Sequence, residues 1–289
     1  MRYENGTAFR RALEDRLRRQ AVASGTPLAR LRKMVAFERF LARLVSAQPD
    51  AWVLKGGLAL QFRLHERARA TQDIDLLLRQ PLPLGDVHRA LVAAALLDLG
   101  DWFTFEVARA EREAAGRFAV QSLLDGRLFE SFHVDVGIGD PLIEPADMLT
   151  APSLLEFAGI HPVTIPAYPL SQQIAEKVHA LTRQYASGES SRVRDWVDIL
   201  LMAHWEGLQS EILRRALQAT FAARGTHFLP PQMPSPPASW ARPLRRLCEQ
   251  TGLEYATLDE AVQAMRRFLD PVLSGEAAER WNPILWQWE

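Results

Sequence analysis

The chain has 289 residues, of which 48% are hydrophobic, with a formal net charge of −1 and a single cysteine, Cys248. That supplies a core for one large domain or two modest ones. The charge balance excludes a globally basic nucleic-acid footprint, and a lone cysteine without a His or Cys cluster excludes an internal disulfide and a structural zinc site. No apolar run approaches the ~20 residues of a membrane span, and the first residues lack the apolar segment of a signal peptide, so a cytoplasmic protein with no membrane contact is expected.

Charge is uneven along the chain: the first fifty residues hold eleven Lys or Arg against five Asp or Glu. Two solvated amphipathic helices would account for this, and so would a surface that contacts phosphate backbones. Thr26-Pro27 reads as an N-cap followed by proline at the first helical position, with Leu28, Leu31, Val35, Leu41 and Leu44 as the apolar stripe of a helix that ends near Gln48-Pro49. The segment AWVLKGG is a short strand stopped by Gly56-Gly57, LALQFRLHERA a helix leaving that turn, and DIDLLLR the next strand. Val87 to Leu99 reads as helix, Phe103 to Ala108 and Phe118 to Leu123 as strands, and FESFHVDVGIGDPL as a strand ending at Gly137 or Gly139. Up to about residue 166 the pattern is mixed α/β.

Beyond the extended, proline-containing HPVTIPAYPL the pattern turns to helices alone, with starts near Ser171, Ser191 and Leu208. GTHFLPPQMPSPPASWARP, with six prolines, reads as a surface loop, and Leu258 to Leu269 as a helix capped by Thr257. Two domains are expected, 1–166 and 167–289. The tail ERWNPILWQWE, with its three tryptophans, reads as a docked C-terminus.

The chemistry concentrates around Asp73 and Asp75. On a strand, side chains at i and i+2 share a face, so the two carboxylates project together while Ile74 turns into the core. Such a pair repels itself unless a divalent cation lies between, and hard oxygen ligands suit Mg²⁺ bridging to phosphate. A solvated strand end would also explain an isolated Asp-x-Asp. Asp135, between Val134 and Val136, is a charge inside an apolar alternation, costly to bury without a partner. It is either an edge aspartate facing water or, on a strand beside Asp73, the third carboxylate of a site able to hold two metal ions. Gly56-Gly57, between strand and helix, can bring backbone N–H groups and a helix N-terminus to an anionic phosphate. Lys177 borders the apolar Ile174, Val178, Leu181 stripe of its helix, where it either snorkels to water or reaches a triphosphate. Asp195 and Asp198, three residues apart, share a face away from the Val193, Trp196, Val197, Leu200 stripe.

Taken in order, KGG, RATQDID, HVDVGIGDP, EKVHAL and RVRDWVDI resemble the motifs of the AbiEii/AbiGii (MenT-like) nucleotidyltransferase toxins, a branch of the polymerase-β-like nucleotidyltransferase superfamily. The resemblance spans about Leu28 to Leu273. It implies an α/β (α+β) nucleotidyltransferase fold: a mixed sheet flanked by helices, with a mostly helical C-terminal domain that contributes Lys177 and Asp195. It implies that Asp73, Asp75 and Asp135 hold Mg²⁺, with two ions expected, and that Lys55, Gly56 and Gly57 form the triphosphate turn. Arg69 and Thr71 fit the R-x-T-x-D-x-D pattern as supports of that turn. Lys177 matches the lysine that contacts nucleotide phosphates, and Asp195 the aspartate of the last motif, with Asp198 as its alternative. Where the superfamily often has Ser or Thr after the glycines this chain has Leu58, so phosphate binding would lean on backbone N–H groups.

The activity implied is Mg²⁺-dependent transfer of a nucleoside monophosphate from an NTP to an RNA hydroxyl, with a tRNA 3′ end as the expected acceptor. The setting implied is toxin–antitoxin or phage defence, with a cognate antitoxin protein as partner. Two other readings stay open: transfer to a protein side chain, and a module that binds NTP or a partner without turnover. A metal-dependent glycosyltransferase leaves Lys177 and the glycine turn unexplained.

Overall fold

The computed structural model describes residues 2–108, 116–184 and 192–289, apart from the side chain of Glu66. The chain divides into two compact units, the first made of Met1–His65, Ala70–Gly139 and Asp147–Ala167, the second of Glu66–Arg69, Asp140–Ala146 and Tyr168–Glu289.

In the first unit, helix α1 (Gly6–Ser24) begins where the Asn5 side chain accepts the Ala8 N–H at 2.8 Å, and it buries Phe9, Leu13 and Leu17 at helical spacing. Helix α2 (Leu28–Ala47) starts one residue later than expected. Pro27 is its N-cap residue and no side chain caps it, so Thr26 does not serve as the cap. Strand β1 (Trp52–Lys55) runs into helix α3 (Gly56–Leu64), and β2 (Asp73–Leu78) follows. Helix α4 (Leu84–Ala95) starts before Val87 and stops before Leu99, both expected limits being shifted along the chain. Strands β3 (Phe103–Val107), β4 (Arg117–Leu124), β5 (Arg127–Ile138), β6 (Asp147–Thr150) and β7 (Thr164–Ala167) complete the unit.

The described strands form a seven-stranded sheet in the order β3-β4-β5-β2-β1-β7-β6. It is mixed: β2 runs parallel to β5 and β1 parallel to β7, while β1–β2, β3–β4, β4–β5 and β6–β7 are antiparallel. Alternation along the strands sorts one face into the core, where Leu54, Ile74, Val134 and Phe118 are almost wholly buried, and Phe37 and Phe40 of α2 meet Phe132 edge-on. The opposite face keeps the charged residues.

The second unit contains helices α5 (Leu170–Thr182), α6 (Val193–Met202), α7 (Ser210–Arg224), α8 (Ala241–Thr251) and α9 (Leu258–Ser274). The expected start at Ser191 lies outside the described residues. Helix α8 begins inside the proline-rich stretch that the sequence assigned to loop: Pro243 sits in its first turn, where a missing N–H costs no helical bond. Helix α9 carries a capping box between Thr257 and Glu260 and runs past Leu269 through Pro271 to Ser274. Strands β8 (Trp281–Asn282) and β9 (Gln287–Trp288) form a hairpin where only helices were expected. That hairpin is docked: the indole N–H groups of Trp286 and Trp288 donate to the α9 carbonyls of Ala264 and Phe268 at 2.9 and 2.8 Å.

Candidate active site

Strand register assembles the charged face. Lys55 of β1 pairs with Asp75 of β2, Asp75 with Asp135 of β5, and Asp135 with Arg117 of β4. Paired residues point to the same side of a sheet, so four neighbouring strands carry a row reading Arg117, Asp135, Asp75, Lys55: two carboxylates flanked by two cations. One step along, Asp73 pairs with His133, whose Nδ1 lies 3.5 Å from an Asp73 carboxylate oxygen. The parallel pairing of β2 with β5 therefore brings Asp73, Asp75 and Asp135 to one face.

Arg117 is the residue that sequence reasoning missed. Its guanidinium donates to Asp135 Oδ2 at 3.0 Å from Nη1 and to Asp73 Oδ2 at 3.1 Å from Nη2, bridging two carboxylates from neighbouring strands. The expected strand began at Phe118, one residue too late to include it, and its partner Asp135 lies across a hairpin, visible only once the register is known. Burial pushes the Asp135 carboxyl above the usual carboxylate range; Arg117 pulls against this and Asp73 adds to it.

Gly56 seats Asp75. At φ +66° it turns the chain from β1 into α3, and an added Cβ would meet Asp75 Oδ2 at 2.0 Å. Asp75 thus lies against the start of α3, a helix whose first turn has no side-chain cap from its N-cap residue Lys55. Gly57 follows as a buried residue of α3, and Leu58 is fully buried, a core residue that presents no hydroxyl at the turn. Thr71 Oγ1 donates to the Asp73 carbonyl at 3.3 Å, steadying the entry to β2.

Among the described residues, no three His, Cys, Asp or Glu side chains are gathered closely enough to hold a metal ion as they stand. The donor chemistry fits one all the same. Three carboxylates occupy neighbouring positions, and two of them already share a single cation, the Arg117 guanidinium, where a hard divalent ion would be held by the same oxygens.

The second unit holds its own charged cluster. Lys177 of α5 donates from Nζ to Asp195 Oδ1 at 2.9 Å and to Asp198 Oδ2 at 2.7 Å. Arg69 clasps Asp198 from Nε at 3.0 Å and Nη2 at 2.8 Å, and Arg192 reaches Asp195 at 3.4 Å. Lys177 is buried, so of its two sequence readings, snorkelling to water is not what the structure displays. Burial would lower its ammonium pKa, but Asp198 and then Asp195 outweigh it, and the value lies above the usual lysine range. Burial would raise Asp195, but Lys177 outweighs it and the carboxyl is held low. The two aspartates separate by environment: Asp198 is 0% exposed with both Arg69 and Lys177 on it, an anchor inside α6, while Asp195 keeps 13% side-chain exposure. Sequence put both on a face apart from the apolar stripe; Asp198 instead lies in the core because two cations follow it there.

A mixed sheet that brings an Asp-x-Asp beside a third strand aspartate, next to a glycine turn leading into a helix, defines a nucleotidyltransferase-like fold. The structure resembles the nucleotidyltransferase toxin MenT4 from Mycobacterium tuberculosis H37Rv with a TM-score of 0.57 at 17% identity, over 91% of this chain and 98% of that one. JHP933 from Helicobacter pylori matches with a TM-score of 0.42 at 14% identity, over 84% of this chain and 89% of that one. No curated protein sequence matches the chain. The family model for the nucleotidyl transferase AbiEii toxin of type IV toxin–antitoxin systems matches residues 39–287. The chain belongs to the AbiEii family of nucleotidyltransferase toxins, which implies an NTP substrate and a cognate antitoxin. Among the described residues no helix is long and apolar enough to cross a membrane.

Proposed function

We propose that this toxin transfers a nucleoside monophosphate from an NTP to a hydroxyl of RNA, with a tRNA 3′ end as acceptor, in a Mg²⁺-dependent reaction. The observation that carries the reading is the cross-strand row Arg117, Asp135, Asp75, Lys55, with Asp75 against the glycine turn. Asp73, Asp75 and Asp135 are the residues that would hold Mg²⁺; bound there, the ion neutralises phosphate charge and lowers the pKa of an attacking hydroxyl. Gly56 and Gly57 give the triphosphate access to backbone N–H groups at the start of α3, and Lys55, on the same sheet face as Asp75, adds a positive charge. Asp135, paired with Asp75 on the neighbouring strand, is the carboxylate placed to help activate the acceptor hydroxyl. In the second unit Lys177 supplies a permanent positive charge for the nucleotide phosphates, held by Asp195 and Asp198, and Arg69 fixes Asp198 so that Lys177 keeps its orientation.

An RNA acceptor is supported by a groove of about 390 Å³ between the middle of α1 and the starts of α2 and β5, lined by Arg10, Arg11, Arg18, Arg32 and Arg127 against Glu14 and Asp15. The test is incubation of the full chain with each α-labelled NTP, Mg²⁺ and total tRNA, beside Asp75→Ala, with RNA and protein resolved together. Label on RNA that disappears in the variant is the expected result. Label on protein would move the acceptor to a side chain, and no label on either would sink the proposal.

A further inference from the structure

We propose that Arg117 is the resident cation of the carboxylate site, holding Asp73 and Asp135 together until a divalent ion displaces its guanidinium. The inference rests on the metal-binding reading above and adds to it a competitor built into the chain.

Three observations converge on it. The first is the bridge itself: one guanidinium takes Asp73 Oδ2 through Nη2 at 3.1 Å and Asp135 Oδ2 through Nη1 at 3.0 Å, so two oxygens suited to a hard cation are already committed to a soft one. The second is how Arg117 comes to be there. Gly116, at φ +59°, receives the Val136 N–H on its carbonyl at 2.8 Å, and a Cβ on it would lie 2.5 Å from the Val136 carbonyl oxygen. Only glycine allows the chain to approach β5 so closely, and this contact sets the register that puts Arg117 opposite Asp135. The third is exposure. The Arg117 side chain is 45% exposed, against 30% and 31% for the two aspartates, so both ion pairs it makes are open to solvent. An arginine locked into a structural role resembles Arg43 instead, 0% exposed with both Nη atoms on Asp101.

The consequence is an acidic site that is stable without metal and whose cation affinity is set below what its carboxylates alone would give. Asp73 and Asp135 with nothing between them repel; the guanidinium that bridges them offsets that repulsion. Once displaced, the same arginine is a cation on the same sheet face as Asp135, one strand beyond it, where developing phosphate charge can use it.

The experiment measures Mn²⁺ binding without nucleotide, by the paramagnetic signal of free ion, in the wild-type full chain and in Arg117→Ala, Arg117→Lys and Asp75→Ala. Arg117→Ala is expected to bind Mn²⁺ roughly fivefold or more tightly than wild type, as the loss of a partly exposed charge competitor implies. Arg117→Lys, which cannot bridge two carboxylates with a planar fork, should fall between them. Without metal, Arg117→Ala should melt below wild type, and Mn²⁺ should raise its melting temperature by more. Equal or weaker Mn²⁺ binding by the folded Arg117 variants overturns the inference while leaving the transferase reading intact if Asp75→Ala loses Mn²⁺. No Mn²⁺ binding by any of the proteins overturns it too. If Arg117→Ala fails to fold, Arg117→Lys alone decides, since its charge preserves the neutralised site. The labelled-NTP assay reports separately on the transferase reading: tighter Mn²⁺ binding with no label transfer would keep the role of Arg117 and remove the reaction.

Discussion

A methyl group on Gly56 would meet the Asp75 carboxylate at 2.0 Å in a backbone conformation of φ +66° that L side chains rarely adopt. Gly56→Ala is therefore expected to cost at least ~1–2 kcal/mol from the backbone alone and to push Asp75 off its seat. The result should be a lowered melting temperature together with lost nucleotidyl transfer; a variant of wild-type stability and activity would contradict both halves of the argument. His179 makes a prediction of another kind. Its ring packs edge-on against Phe221, hydrogen-bonds Thr226 at 2.8 Å and lies beside His227, and burial, followed by His227 and the arginines at 224 and 183, lowers its pKa to about 4. A base whose folded pKa lies below its unfolded value of 6.5 takes up its proton mainly on unfolding, so stability is intact above pH 6.5 and falls as the pH drops towards 4. The denaturant midpoint should decline between pH 7 and pH 5, and His179→Gln should flatten that slope even while lowering both values.

At the level of elements, α5 and α6 are tied by charge as well as by packing. Replacing Lys177 by methionine would leave Asp195 and the fully buried Asp198 short of a cation, and removal of one partner from a buried ion pair costs ~3–5 kcal/mol. Chemical denaturation of Lys177→Met should show a loss of that size, whereas a change under ~1 kcal/mol would mean water reaches the cluster. Much of the sheet was legible in the sequence because burial alternates with a period of two along β4, most of β5 and the first half of β2, and α5 because Ile174, Val178 and Leu181 recur at helical spacing. The acidic residues were legible for the same reason: Asp73, Asp75 and Asp135 interrupt apolar strands. Strand β6 was not, since Asp147–Thr150 buries no alternating face and is a strand only by pairing with β7. Helix α8 was hidden by the prolines around its start. Arg117, His133 and the burial of Asp198 depend on which strand or helix lies alongside, and such pairings leave no mark on local spacing.

For the whole molecule, a net charge of −1 conceals a basic end, and the arginine groove by α1 turns that asymmetry into a prediction. If RNA is held there, Arg10→Ala with Arg11→Ala should weaken RNA binding and reduce the magnitude of its log–log salt slope by about 1.4 to 1.8, roughly 0.7–0.9 per lost phosphate contact. An unchanged slope would place the acceptor elsewhere. The parallel pairing of β2 with β5 has a consequence for synthesis. Asp75 and Asp135 lie roughly sixty residues apart in the chain, and no local hairpin joins them, so the acidic set does not exist in a nascent chain that stops short of β5. On the proposed reading of the site, a nascent chain has no complete carboxylate set until the β4–β5 hairpin has emerged and docked beside β2, so the onset of activity during synthesis is set by topology.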